Sequence, residues 1–215
     1  MRVVSFYSEG TLYEDEAMRL LASADRFDIP IDIIITPDAG SWHDNVAFKA
    51  CVIHDELLSG DPVLYVDADA FFHVNPTNYF SQLEQKGYDF AARFRMDRLQ
   101  SGTMWFSGSS ECDDLIDNWM KRNEDNERSG IVTGQGQKNL QDVLPSAEVA
   151  MFELPAAWCY IFDTDAREHP CINPMIEHLQ ASRHGDAKHH SPAQRARRTI
   201  RCQQLERQVG ACAKS

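Results

Sequence analysis

One stretch constrains the fold more than any other: Val63-Leu64-Tyr65-Val66-Asp67-Ala68-Asp69-Ala70-Phe71-Phe72. Its short apolar run, rich in β-branched and aromatic residues, reads as a strand buried on both faces of a sheet. Two carboxylates separated by one small residue stand at its downstream end. Side chains at i and i+2 of an extended segment point the same way, so Asp67 and Asp69 can converge on one cation. Ligands of open α/β sheets collect beyond the carboxyl ends of the strands, where these acids would lie. An Asp-x-Asp by itself is equally a polar turn after a core strand, so the rest of the chain must decide.

Upstream, Val3–Tyr7 reads as a strand, Tyr13, Ala17, Leu20, Leu21 and Ala24 recur at helical spacing, and Ile31–Ile35 is a second strand. Thr11 and Glu14 fit a capping box. Strand, helix and strand in about 35 residues make a βαβ unit, hence parallel strands joined by a right-handed crossover. A helix follows from Trp42 to Leu58, with Lys49 just off its apolar face. Asn75-Pro76 opens a helix running to about Lys86. Strands are expected at Tyr88–Ala92, Ser101–Ser107 and Val149–Phe152, and helices at 109–120 and 135–143. Lys121–Gly130 is polar and reads as a loop or frayed helix end, and Met175–His178 as a last extended piece. The fold class is α/β, a single domain over residues 1–190 with a mainly parallel central sheet flanked by helices. Residues 191–215 read as a basic tail, a weakly amphipathic solvated helix or a disordered end.

At 215 residues the chain can bury one sizeable core. Its apolar runs fall short of the roughly 20 residues that span a bilayer, and Met1–Phe6 leads directly into a strand without a cleavable leader. These features point to a cytoplasmic protein. Six cysteines with no C-x-x-C pair argue against structural zinc and a disulfide framework, and for free thiols. The net charge of −12 is uneven. Residues 1–176 carry 13 Lys/Arg against 30 Asp/Glu, and residues 177–215 carry 8 against 3. So acidic a body disfavours a nucleic-acid backbone as partner.

Several pieces in order resemble one family: Phe6-Tyr7 with Thr11 and Tyr13; Ser41-Trp42 with Asn45 and Lys49; Val66-Asp67-Ala68-Asp69; Ser101-Gly102-Thr103-Met104-Trp105-Phe106; and Ile176-Glu177-His178 with Ala181-Ser182-Arg183 and Lys188. The set is similar to the nucleotide-diphospho-sugar transferases of the GT-A (Rossmann-like) fold, in particular small bacterial and phage-type members with a glycogenin-like plan. It spans about residues 3–188. The resemblance implies Mn²⁺ or Mg²⁺ held by Asp67, Asp69 and His178, the imidazole favouring Mn²⁺. It implies a UDP- or GDP-sugar donor contacted by Tyr7, Thr11, Tyr13, Lys49, Asp67, Gly102, Thr103, Arg183 and Lys188. Arg183 and Lys188 would clamp the diphosphate, and Gly102 and Thr103 would let the sugar approach bare backbone.

Gln137 and Lys188 are the catalytic candidates. Relatives carry an Asp-Gln pair near Gln137, but Gly136 stands here in place of the Asp. The implied reaction is hexosyl transfer to a hydroxyl acceptor, with retention of configuration. Asp97, Asp163 and Asp165 are the acids to test were the reaction inverting. The acceptor is open among a glycan, a lipid-linked sugar, a protein side chain and a modified base. Two alternatives stand beside this reading: a nucleotidyltransferase, and a sugar-nucleotide-binding protein on the same scaffold without catalysis.

Overall fold

The computed structural model describes residues 1–131, 136–182 and 191–212. The N-terminal half alternates strand and helix: β1 (Arg2–Ser8), α1 (Tyr13–Asp25), β2 (Ile31–Thr36), α2 (Trp42–Leu57), β3 (Val63–Val66), β4 (Ala70–Phe72) and α3 (Thr77–Gln85). There follow the hairpin β5 (Phe90–Arg95) and β6 (Arg98–Phe106), then α4 (Ser110–Arg128), α5 (Gly136–Val143) and β7 (Met151–Glu153). The last described elements are β8 (Tyr160–Ile161), α6 (Phe162–Glu168), β9 (Ile176–His178) and α7 (Pro192–Cys212).

Six strands form the main sheet in the order β2-β1-β3-β6-β5-β7, and a second sheet has the order β4-β9-β8. The β1–β2, β1–β3 and β5–β7 pairings are parallel, whereas β6 runs antiparallel to both β3 and β5. The architecture is therefore an α/β sandwich around a mixed, mostly parallel sheet. All four residues of β3 are buried, as a strand covered by helices on both faces must be. One core lies under α2 and α4 and holds Tyr65, Met104, Phe106 and Trp119. The other face packs Leu20, Leu64, Phe80, Trp105 and Trp158.

The strand pattern changes at the end of β3. The chain leaves the main sheet at Asp67, turns, and enters the small sheet as β4. The amide of Ala70 donates to the Asp67 carbonyl across that turn. Asp67 and Asp69 thus sit at the seam between the two sheets. A bulge on β6 faces them. Ala92 pairs with Met104 and Arg93 with Gln100, so Ser101, Gly102 and Thr103 are extra residues against β5. Such a bulge re-aims backbone and side chains out of the ladder. Here it delivers the Gly102 carbonyl to the Asp67 amide at 2.8 Å.

Several local expectations are corrected. Thr11 does not form the expected capping box: Leu12 is the N-cap, and the Thr11 hydroxyl donates to the Ser8 carbonyl at 2.6 Å while accepting the Tyr13 amide at 3.4 Å. The polar segment after Met120 stays helical to Arg128, because Asn126 is buried and donates to Asn139 of α5 at 2.7 Å. Residues 162–168 form a helix that their polar composition did not announce. The β5–β6 turn places Met96 and Asp97 at positive φ (49° and 57°) without the Gly or Asn that usually marks it. The basic C-terminal stretch is a helix docked on the body, with Arg198, Cys202 and Leu205 buried. No described helix is long and apolar enough to cross a membrane.

Candidate active site

A cavity of about 370 Å³ opens at the seam between the sheets. Asp67, Asp69 and His178 line it, together with Lys49, Gly102 and Gln137. Tyr7, Tyr13 and Trp42 supply aromatic surface to the same cavity. The parallel β1 and β3 end there, and β9, paired antiparallel to β4 with Ala70 opposite His178, brings the histidine to the two acids. One potential ligand atom from each of Asp67, Asp69 and His178 lies within 4.8 Å of the other two.

Each member of the cluster is held from behind. Asp67 accepts from the Tyr65 hydroxyl at 2.8 Å and pairs with the Lys49 ammonium at 2.7 Å. Lys49 is only 5% exposed; its Nζ also donates to the carbonyl and the hydroxyl of Ser101, both at 3.1 Å, and lies 5.0 Å from the Tyr65 ring centroid. An ammonium taken out of water needs such partners. Asp69 accepts the Ala181 amide at 2.7 Å. Burial works against its charge, but His178 and the Ala181 amide outweigh that and keep its pKa below the ordinary carboxylate value. Tyr13 and Tyr65 are pushed up by burial first and by the acids next, so both remain protonated donors at neutral pH.

His178 is 2% exposed. Its Nε2 is 2.8 Å from the Thr103 hydroxyl, and its Nδ1 is 3.6 Å from Asp69 Oδ1 with no hydrogen-bond partner. Burial disfavours charge on the ring, yet Cys159 and the Asp69 carboxylate draw its pKa up to about 10. A buried ring nitrogen without a hydrogen-bond partner, facing two carboxylates, is a donor set suited to a divalent ion. The residues therefore fit Mn²⁺ or Mg²⁺: oxygen donors serve either ion, and an imidazole suits Mn²⁺ better.

The structure sorts the remaining site candidates. Tyr7, Tyr13, Lys49, Asp67, Gly102 and Gln137 all line the cavity. Gln137 Oε1 accepts from the Ser101 amide and hydroxyl at 3.2 and 3.3 Å. Gly136 accepts the Trp119 indole N–H on its carbonyl at 2.8 Å. Thr103 lies behind the cavity, fully buried against His178. Thr11 is turned to Ser8 and does not join the lining.

Gly102 has a role that its sequence context did not indicate. A Cβ there would stand 2.9 Å from His178 Cε1 and 3.0 Å from Nδ1, so the missing side chain makes room for the imidazole. Arg183, Lys188 and Gln135 lie outside the described residues. Asp97, Asp163 and Asp165 do not line the cavity; Asp165 is committed to Arg93 through two hydrogen bonds of 2.5 and 2.7 Å. Tyr65, Ser101, Cys159 and Gln180 reach the cavity without having been expected there. Tyr65 was hidden inside a run that reads as pure core, although its two-residue offset from Asp67 puts both on one side of the strand.

No protein-family model matches the sequence, and no curated protein is significantly similar to it. Solved structures do match. A glycosyltransferase involved in the glycosylation of the major capsid of PBCV-1 superposes with a TM-score of 0.62, over 96% of this chain and 100% of that one, at 12% identity. The fold is that of a GT-A glycosyltransferase. Mouse xyloside xylosyltransferase 1 matches with a TM-score of 0.54 over 84% of this chain and 98% of its own, at 13% identity. The glycosyltransferase GlyE of Streptococcus pneumoniae TIGR4 matches with a TM-score of 0.56, over 97% of this chain and 64% of its own, at 14% identity. At such identities the likeness is one of fold alone.

Proposed function

We propose that this GT-A chain is a metal-dependent glycosyltransferase that moves a hexose from a UDP- or GDP-sugar to a hydroxyl acceptor. The observation that carries the reading is the convergence of Asp67, Asp69 and His178 at the seam of the two sheets, in one cavity with aromatic side chains. Asp67, Asp69 and His178 would hold Mn²⁺ or Mg²⁺, which when bound supplies charge neutralisation for the departing nucleoside diphosphate.

The chain's own residues do the rest. Tyr7, Tyr13 and Trp42 offer flat apolar surface to a nucleobase. Lys49 carries a fixed positive charge beside Asp67, within a side chain's length of a phosphate bound there. Gln137, its Oε1 held by Ser101, has only its amide N–H groups left to offer a reacting oxygen. Arg183 and Lys188 are the cations assigned to the diphosphate by the sequence pattern. The transition state of glycosyl transfer has oxocarbenium character, so positioning and stabilisation of the leaving group dominate. Retention fits this cavity: among the described residues its lining carboxylates are Asp67 and Asp69, both assigned to the ion, which leaves no separate base for inversion.

The test uses the purified chain with Mn²⁺ and a panel of UDP- and GDP-sugars, following release of nucleoside diphosphate. Wild type should release it with at least one donor, in a strictly metal-dependent way. Asp69→Asn should lower that rate by about 100-fold or more. A wild-type chain that neither binds nor cleaves any sugar nucleotide in the presence of metal would overturn the proposal.

A further inference from the structure

The C-terminal helix brings two arginines to the metal cluster from behind. Arg198, Cys202, Leu205 and Val209 recur at the spacing of one helical face, with Arg201 at its margin. Cys202 and Leu205 bury that face against Phe71, Phe162 and Leu179. In the short strand β9, alternation sends Glu177 to the side opposite His178, and Leu179, just past the strand, packs against Cys202 and Leu205. α7 grips both neighbours of the histidine. Arg201 donates to the two carboxylate oxygens of Glu177 at 2.8 and 2.7 Å. Arg198 donates to the Leu179 carbonyl at 2.9 Å and, with its other arm, to Glu16 of α1 at 2.5 Å.

The grip continues to Asp69. The Leu179 amide donates to the Asp69 carbonyl at 3.0 Å. Gln180 then reverses the chain at a φ of 55°, which aims the Ala181 amide at Asp69 Oδ2, 2.7 Å away. Arg198 therefore holds the peptide whose next turn orients one carboxylate of the cluster, and Arg198 and Arg201 together bracket its histidine. Neither arginine lines the cavity. Arg198 and Glu16 are 7% and 6% exposed, so this is a buried fork and not a surface ion pair.

We infer that α7 is a clamp that fixes the geometry of the metal site, with Arg198 and Arg201 as positioning residues for His178 and Asp69. A planar guanidinium can serve a carbonyl and a carboxylate at once, which a lysine cannot do in the same geometry. The inference rests on the metal-site reading above and assigns part of that site to a helix that looks, in sequence, like a polar tail.

The test compares the full chain with Arg198→Met and Leu205→Ala. Mn²⁺ affinity is read from the paramagnetic resonance signal of the free ion, at a temperature where all three are folded. Exchange of the Leu179 and Ala181 amides is followed without metal. Arg198→Met should weaken Mn²⁺ binding about 10-fold to 100-fold, the usual effect of removing a support behind a ligand, and should speed exchange at Ala181. Leu205→Ala loosens the helix packing and lowers the melting temperature, but should leave Mn²⁺ affinity within about twofold of wild type. Equal Mn²⁺ binding by Arg198→Met and wild type overturns the inference, as does an equal loss in Leu205→Ala. If Arg198→Met does not fold, Arg201→Gln takes its place with the same expected direction. If wild type takes up no Mn²⁺, the metal reading fails, and unchanged Ala181 exchange in Arg198→Met then overturns the clamp by itself.

Discussion

Gly102 shows how one absent side chain can set a site. The His178 ring packs where a Cβ would go, at 2.9 Å, closer than non-bonded carbons approach without strain. Gly102→Ala must push the imidazole away from the acids or move the β6 backbone. Mn²⁺ binding in that variant is expected to weaken by about 10-fold or more, as for loss of a ligand's support, while the far-ultraviolet circular dichroism stays that of wild type; isothermal titration checks it. Lys49 makes the opposite prediction. Its ammonium pairs with Asp67 Oδ1 at 2.7 Å and would compete with a cation for that oxygen; Asp67 is 35% exposed, so solvent screens the pair. Lys49→Met should tighten Mn²⁺ binding by roughly threefold to fivefold, the worth of an ion pair of up to about 1 kcal/mol. The same change should slow release of nucleoside diphosphate, because a positive charge is lost beside the phosphates.

At the scale of elements, the strands of the main sheet were legible, whereas β4 and β8 of the small sheet, and the ends and bends, were not. β3 announced itself through an uninterrupted apolar run, and β1 and the βαβ unit through mainly apolar runs spaced around a helical pattern. The β6 bulge left no trace, because Ser101-Gly102-Thr103 reads as ordinary strand until its partners on β3 and β5 are known. α7 was invisible as a packed helix, since its buried face combines two apolar residues with an arginine whose partner lies 182 residues away. Its docking also sets a pH dependence. Burial works against charge on Glu177, but His73 and Arg201 more than compensate and hold its pKa below the ordinary value of 4.5. A carboxylate depressed in the folded state stabilises the protein above about pH 4.5 and loses that contribution as pH falls through the folded value. Acid unfolding followed by fluorescence should therefore lose stability below pH 4.5 in wild type, and lose less of it in Arg201→Gln. Within the same contact, Leu205→Ala should cost about 2–4 kcal/mol in urea denaturation.

At the scale of the whole molecule, the cavity is assembled from β1, α2, the β3–β4 turn, the β6 bulge, α5 and β9, so ligand binding ties the two sheets together. Anything bound there favours the folded state by mass action. Mn²⁺ with UDP at 100 times their dissociation constant should add about 2.7 kcal/mol, and raise the melting temperature by about 5–11 °C for a chain of this size. Magnesium should give a smaller shift if His178 ligates the ion.

The sequence by itself determined the strand–helix alternation, the buried central strand and the two acids at its end, because hydrophobic period and residue spacing are local properties. It also carried His178 and Lys49 as candidates, since their order along the chain follows the pattern of the family that the sequence resembles. Only the tertiary structure decided that Thr103 supports His178 from behind, that Gly102 makes room for an imidazole, and that Tyr65 joins the acids. Only it turned a basic tail into a clamp on β9. Each of those facts depends on atoms far apart in sequence meeting within a few ångströms, and a one-dimensional pattern does not encode such distances.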